Sequence, residues 1–393
     1  MASVEKRTRD GKVRWYARYR DPSGQQRTKT FDRKVDAERF LTSVEGSKLA
    51  GAYIDPARAK TTVGTVADQW KAGKINLKPT TRARYESALD VHVLKRWRDV
   101  PLERVEHGDI QAWLSDLIAA GQSAASVRKC FGVLSSILAL AVRDRRIPSS
   151  PAAGIMLPRV VDRPRRYLTA VQVTQLAAAA AIPPHERVRA AYAQYRLAVF
   201  VLAYCGLRWS ELAALRVRSV DLMRKRLDVA EAVTEVNGAQ LVWGTPKSHE
   251  RRSVPLPGFL VDELTPHLAG RAQDALVFTT LRGAPMRNRN ARRDWFDDAA
   301  EAIGEPDLTP HGLRHTAASL AVSAGANVKA VQRMLGHASA AMTLDQYADL
   351  FDDDLDAVAE RLDVVARAAG VYPLCTGADV VPLAKVSRKA ADQ

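Results

Sequence analysis

The run His311-Gly312-Leu313-Arg314-His315-Thr316, followed by Leu335-Gly336-His337 and then Thr343-Leu344-Asp345-Gln346-Tyr347, sets histidines, an arginine and a tyrosine in one order. His311 and Arg314 stand at i and i+3, the spacing that brings two side chains to one helix face. Pro310 suits the first position of a helix, which places His311 near the positive end of the dipole and disfavours its imidazolium form. Gly336 lets a helix end directly before His337. Upstream, Cys205-Gly206-Leu207-Arg208-Trp209-Ser210-Glu211-Leu212 supplies a second arginine, with Glu211 three residues on to hold it. Thr245-Pro246-Lys247-Ser248 supplies a lysine between expected strands.

These residue types answer one chemical problem. A phosphodiester repels nucleophiles with its anionic oxygens and has a poor alkoxide leaving group. Attack on it without a metal needs cations on the non-bridging oxygens, a base at the nucleophile and an acid for the 5′ oxygen. Arg208 and Arg314 offer planar forks for the phosphate. His311, held neutral, is expected to take the proton of Tyr347, and His337 to donate a hydrogen bond to a non-bridging oxygen. Lys247 is the expected acid, although His249, Arg251 and Arg252 lie close enough to be confused with it. Tyr347 is the expected nucleophile, and its phosphotyrosyl product would conserve bond energy, so rejoining would need no ATP. Tyr192, Tyr195 and Tyr204 sit in apolar helical settings and read as core. The three cysteines, Cys130, Cys205 and Cys375, form no CxxC pair, so neither a disulfide framework nor a zinc site is indicated. No cofactor and no metal are expected.

The chain has 393 residues and a formal net charge of +15, enough length for two or three domains with more than one core. The charge is uneven: residues 1–60 hold 15 basic and 8 acidic side chains, residues 61–165 hold 17 and 10, and residues 166–349 hold 22 and 18. An excess gathered in the first 165 residues suits a grip on a polyanion. Residues 12–20 alternate like a strand, Asp21-Pro22-Ser23-Gly24 reads as a turn, and Gln25 to Phe31 returns. From Asp32, an expected N-cap, Val35, Ala37, Phe40, Leu41 and Val44 recur at helical spacing. Such a sheet, bearing Arg14, Arg18, Arg20, Arg27 and Lys29, would enter a DNA groove as β-ribbon readers do. Residues 51–60 read as a linker, and Val63 to Val142 is helical throughout, with Trp70, Trp97 and Trp113 in its core. Pro79-Thr80-Thr81-Arg82 opens one of these helices with amides that suit a phosphate. The proline-rich connector that carries Arg163 and Arg165 suits a crossing of the DNA backbone. Beyond it, helices are expected at 171–181 and 191–202. Strands follow at 227–233, 240–243 and 252–256, the first two joined across Asn237-Gly238. Helices resume at 293–303, 311–324, 327–335, 343–349 and 353–369. The N-terminus lacks the apolar run of a signal peptide. No stretch approaches the roughly 18 apolar residues of a membrane span, so a cytoplasmic protein without a membrane partner is expected.

Arg208, Lys247, His311, Arg314, His337 and Tyr347, in this order and spacing, resemble the active site of the tyrosine recombinases, the phage-integrase family. The resemblance covers residues 1 to about 360. It implies a multidomain chain, mainly α with small β-sheets (α+β). Residues 1–55 would be an arm-type DNA-binding domain, a three-stranded sheet plus a helix. Residues 61–147 would be a helical core-binding domain of SAM-like type, 148–166 a basic linker and 167–360 a mixed α/β catalytic domain. Residues 361–393 would be a helix end and a poorly ordered tail. It further implies an integrase that cleaves and rejoins double-stranded DNA at attachment sites through a 3′-phosphotyrosyl intermediate, integrating or excising a phage or mobile element. The partners implied are a homotetramer on DNA, a DNA-bending host factor and an excision factor. A chromosome-dimer-resolving recombinase and a type IB topoisomerase use the same chemistry and stand as alternatives.

Overall fold

A computed structural model describes the chain except for residues 1, 10, 11, 23, 50–52, 55, 162–165, 239, 247–250, 349–353 and 371–393. Lys247, Arg163, Arg165 and the tail beyond Gly370 therefore lie outside the described residues. Two compact units emerge, Met1–Pro164 with Glu235–Val242, and Arg165–Thr234 with Trp243–Gln393.

In the first unit, β1 (Ser3–Arg9), β2 (Lys12–Arg20) and β3 (Gln26–Phe31) form an antiparallel sheet in that order. α1 (Lys34–Leu49) covers one face, and Ala17 and Tyr19 are buried there with Ala37, Leu41 and Val44. Val35, expected in this core, is 53% exposed. The helix begins at Lys34, so Asp32 does not cap it and pairs with Arg14 instead.

Cross-strand partners share a face of a sheet. Ala17 pairs with Lys29 and Tyr19 with Arg27, which puts those two basic residues on the helix side. Arg27 donates to the buried Asp21, and the Lys29 ammonium lies 4.6 Å from the Phe40 ring. Arg14, Arg18 and Arg20 stand on the open face with Arg7, the cross-strand partner of Arg14. The five basic residues expected on one DNA-facing surface are thus divided three to two by the period of the strand.

A second core in this unit is helical. α2 (Pro56–Ala59) interrupts the expected linker and leads to α3 (Val63–Ala72). Next come α4 (Pro79–Ala88) and, through a π-helical turn at Leu89–Val93, α5 (Leu94–Trp97). α6 (His107–Ala119) and α7 (Ala124–Arg143) complete the bundle. Trp70, Trp97 and Trp113 are buried as expected, the last two edge to face at 6.0 Å. Arg82 is exposed in the first turn of α4. By length and composition α7 is apolar enough to cross a membrane, against the expectation from the sequence. Its Val127, Cys130, Val133, Leu134, Ile137, Leu138 and Ala141 form a stripe inside the bundle, and Arg128 and Lys129 are exposed. A run of apolar residues is broken by those two charges, whereas the average over the helix is not. The connector turns at residues 151–154 and then runs along the bundle: Gln111 bonds both backbone groups of Met156, and Arg128 donates to the Pro158 carbonyl.

The second unit is built around α9 (Arg189–Cys205), whose Leu197, Ala198, Val199, Phe200, Val201, Leu202 and Ala203 are all buried. Burial on every side marks a central helix. α8 (Ala170–Ala180), started by a Thr169–Gln172 capping box, packs on it. α10 (Trp209–Leu212) follows α9 directly. The small sheet β4 (Val220–Asp221), β5 (Arg226–Val229) and β8 (Arg252–Pro255) is antiparallel with β5 in the centre. β6 (Ala232–Val236) and β7 (Gln240–Gly244), whose residues 235–242 are grouped with the first unit, pair separately across Asn237-Gly238, both at positive φ, as the turn signal required. The strand expected over 227–233 is therefore two. It breaks at Ala230-Glu231, where Glu231 accepts from Arg216 and Arg218.

α11 (Gly258–Leu268) is not expected from the sequence. Pro257-Gly258 and an internal Pro266 obscure its Leu260, Leu264 and Leu268 stripe. α12 (Asn288–Ala291) runs through a π-helical turn into α13 (Asp297–Ala302). α14 (Pro310–Ser323), α15 (Val328–Leu335), α16 (Ala340–Tyr347) and α17 (Asp354–Ala368) complete the described chain. Cys130 and Cys205 are buried free thiols, and burial pushes the Cys205 thiol up to about 12.

Candidate active site

α9 ends at Gly206, which turns into the left-handed region at φ 63°. A Cβ there would also meet Leu335 Cδ2 at 2.6 Å, so only glycine lets the end of α9 touch the end of α15. The chain then extends through buried Leu207 to Arg208, which precedes α10. Glu211 accepts the Arg208 backbone N–H at 2.8 Å and its guanidinium at 2.8 Å. The same carboxylate receives a bidentate pair from Arg252 at 2.9 and 2.6 Å. Glu211 is 1% exposed. Burial pushes its pKa up, but the hydrogen bond and charge of Arg252 and the charge of Arg208 outweigh this and hold it below the ordinary carboxylate value.

Arg314 lies on α14 one turn after Thr309, which caps the helix by accepting from Gly312 N–H. Arg314 is 3% exposed, and its guanidinium donates to the carbonyls of Gly206 and Leu335, both at 2.6 Å. A buried charge is costly unless partnered, and these partners are the orphan carbonyls that helices leave at their C-terminal ends. The pattern extends around the end of α15. Arg252 donates to Met334 O at 3.0 Å, and Arg208 approaches Gly336 O at 3.4 Å. Three arginines thus meet the negative ends of two helix dipoles, with one carboxylate between them. Burial, then repulsion from Arg208, lowers the Arg314 pKa to about 9, which leaves it charged at neutral pH. The cluster keeps a positive excess suited to an anion.

Gly336 turns at φ 66° and presents His337, 9% exposed. The His337 Nδ1 lies 3.0 Å from the buried Thr343 hydroxyl. If that hydroxyl donates, the ring proton sits on Nε2, ready for an acceptor in the site. Burial, then the charges of Arg314, Arg208 and Arg252, pushes the His337 pKa down to about 4, so the ring is neutral at pH 7. Tyr347 ends α16, 1% exposed, with its ring parallel to His337 within 5° at a centroid distance of 6.3 Å.

The phenol meets a histidine, but a different one from that expected. His315 Nδ1 lies 2.8 Å from the Tyr347 hydroxyl. His311, the expected proton acceptor, is exposed one turn earlier on the same face, its ring 5.0 Å from that of His315. Sequence order had singled out Arg208, Arg314, His337 and Tyr347, and the fold gathers all four. It adds His315, Arg252 and Thr343. His315 sits at i+4 from His311, so both were on the face named from the sequence. Arg252 occupies an inward-facing strand position, paired with Val229, where an apolar residue would otherwise stand.

A family model described as the phage integrase family matches residues 166–353, and one described as the phage integrase N-terminal SAM-like domain matches residues 62–118. The chain is 29% identical over 345 residues to a putative prophage phiRv2 integrase of Mycobacterium tuberculosis, across 84% of this chain and 88% of that protein. It is 30% identical over 263 residues to the tyrosine recombinase XerC of Mycobacterium bovis, across 64% of this chain and 81% of that protein. In fold it is similar to the Tn1549 transposon integrase bound to transposon right-end DNA. The TM-score is 0.63 and the identity 22%, over 77% of this chain and all of the other. With its arginine cluster and buried tyrosine, the chain belongs to the phage integrase family of tyrosine recombinases, enzymes that break and rejoin DNA at specific sites.

Proposed function

We propose that this recombinase is the integrase of a phage or related mobile element, and that Tyr347 is its nucleophile. The observation that carries the reading is that Arg208, Arg314 and His337 gather at the end of α15, with the buried Tyr347 ring parallel to His337, each fixed by protein partners before DNA arrives. The arginines would hold the non-bridging oxygens of the scissile phosphate, and His337 would add an Nε2–H hydrogen bond. Charge that grows in the transition state would then meet groups needing little rearrangement. The Tyr347 oxygen attacks phosphorus, and the 5′ oxygen leaves with a proton from Lys247, the acid this reading assigns. His311, exposed beside the cluster, is assigned to the phosphate as well.

Each tyrosine makes one covalent joint, so exchange between two duplexes requires four copies, a homotetramer on DNA. Transesterification is nearly isoenergetic and has no direction of its own. Direction is therefore assigned to other proteins, a host DNA-bending factor and an excision factor. The first 55 residues are read as the arm-type module, with Arg14, Arg18 and Arg20 presented by its open face. The ion pairs of Arg14 with Asp32 and of Arg18 with Glu5 are exposed, and exchanging them for phosphates costs little. Arg82 and the connector residues Arg163 and Arg165 are assigned to the DNA backbone. The similarity to XerC supports a second reading, chromosome-dimer resolution, which would need no arm sites.

The test is single-turnover cleavage of a nicked suicide duplex. Arg208→Lys and Arg314→Lys should each lose on the order of a hundredfold or more, because lysine cannot reproduce a bidentate fork. A chelator should leave wild-type cleavage unchanged. Near-normal rates for both lysine variants would overturn the phosphate clamp.

A further inference from the structure

Tyr347 is 1% exposed, so bulk water does not reach its hydroxyl, and the group that takes its proton must be one that touches it. His315 does so, through Nδ1 at 2.8 Å, a normal length for a hydrogen bond between a phenol and an imidazole nitrogen. Its ring is tilted 57° to that of Tyr347 at a centroid distance of 5.6 Å, which directs a ring edge at the oxygen. His311 lies one turn nearer the start of α14 and is exposed, and its ring meets His315 edge to face at 80°. We propose that His315 is a further catalytic residue, the acceptor of the Tyr347 proton in strand cleavage, with His311 left to the phosphate.

The proposal rests on Tyr347 being the nucleophile. In the step, the Tyr347 O–H bond breaks and its proton passes to His315 Nδ1. The phenol oxygen forms the bond to phosphorus, the P–O5′ bond breaks, and O5′ takes a proton from Lys247. Rejoining runs in reverse, and His315 returns the proton to the phenol oxygen. A nucleophile and base within hydrogen-bond reach, inside a cluster of cations, is the arrangement this chemistry needs.

The experiment uses the full-length protein and the core duplex located by mapping where wild-type protein becomes covalently joined to DNA. His315→Asn keeps a side chain whose amide oxygen can accept a hydrogen bond from the phenol but cannot take up its proton. It should bind the duplex as wild type does and cleave on the order of a hundredfold slower. The rise of cleavage rate with pH that the imidazole imposes should disappear. His315→Ala should behave alike and be partly restored by added imidazole. A duplex with sulfur in place of the bridging 5′ oxygen, whose leaving group needs no acid, should rescue Lys247→Ala but neither His315 variant. Cleavage by His315→Asn at or above the wild-type rate would overturn the proposal, because the bond would then only store the tyrosine. A slower rate with the wild-type pH dependence intact would overturn it too, since lost positioning alone does that. If wild-type protein itself forms no adduct, what fails is the proposed function.

Discussion

At the scale of residues, side chains of the types that phosphodiester attack needs are legible in order and spacing, and their pairing is not. Arg208, Arg314, His337 and Tyr347 were identified because each type answers a need of phosphodiester attack, and the fold places them together. That His315 touches the phenol depends on how α16 packs against α14, which no local pattern in the sequence encodes. The role of Arg252 was obscured for a similar reason: only strand register turns it inward to Glu211. The neutral His337 gives a prediction on stability. Its pKa falls from an ordinary 6.5 to about 4 in the fold. Between those values the unfolded chain binds a proton that the folded chain refuses, so the stability it contributes is present above pH 6.5 and is lost as pH falls toward 4. The loss should reach about 3 kcal/mol, from about 1.4 kcal/mol per pKa unit. Denaturant melts from pH 7 to pH 4 should show a clearly shallower decline for His337→Gln. Identical slopes for the two proteins would refute the buried neutral ring.

At the scale of elements, sequence periodicity located most helices, and it failed where composition hid it. α11 was missed because prolines interrupt its apolar stripe. One expected strand became two because Glu231 is drawn to Arg216 and Arg218. The five basic residues of the N-terminal sheet read as one surface in the sequence, and the register divides them between two faces. Helix ends matter most to the site, since the carbonyls of α9 and α15 hold the arginines. Gly206→Ala tests this directly. Its φ of 63° and the 2.6 Å approach to Leu335 leave no room for a methyl group. The substitution should cost about 1 kcal/mol for the backbone and about 1–3 kcal/mol for overpacking. Calorimetry should record a lower Tm, and DNA cleavage should fall with it as Arg314 loses the Gly206 carbonyl. An unchanged Tm would mean that the two helix ends do not meet as described.

At the scale of the whole molecule, the sequence showed where positive charge gathers, and the family assignment gives that charge a partner. A chain beginning at Thr61 keeps the helical bundle and every assigned catalytic residue. It should still cleave core-site DNA, with a shallower dependence of affinity on salt because fewer phosphates are neutralised. It should also lose recombination that depends on flanking arm sites. Full recombination by the shortened chain would favour dimer resolution over integration. Whether Tyr347 joins this protein to DNA can be read by trapping wild-type protein on a suicide duplex, digesting the adduct and sequencing the linked peptide by mass spectrometry. The expected product is a 3′-phosphate esterified to Tyr347, with no adduct from Tyr347→Phe. An adduct on any other residue, or one that survives in Tyr347→Phe, would contradict it.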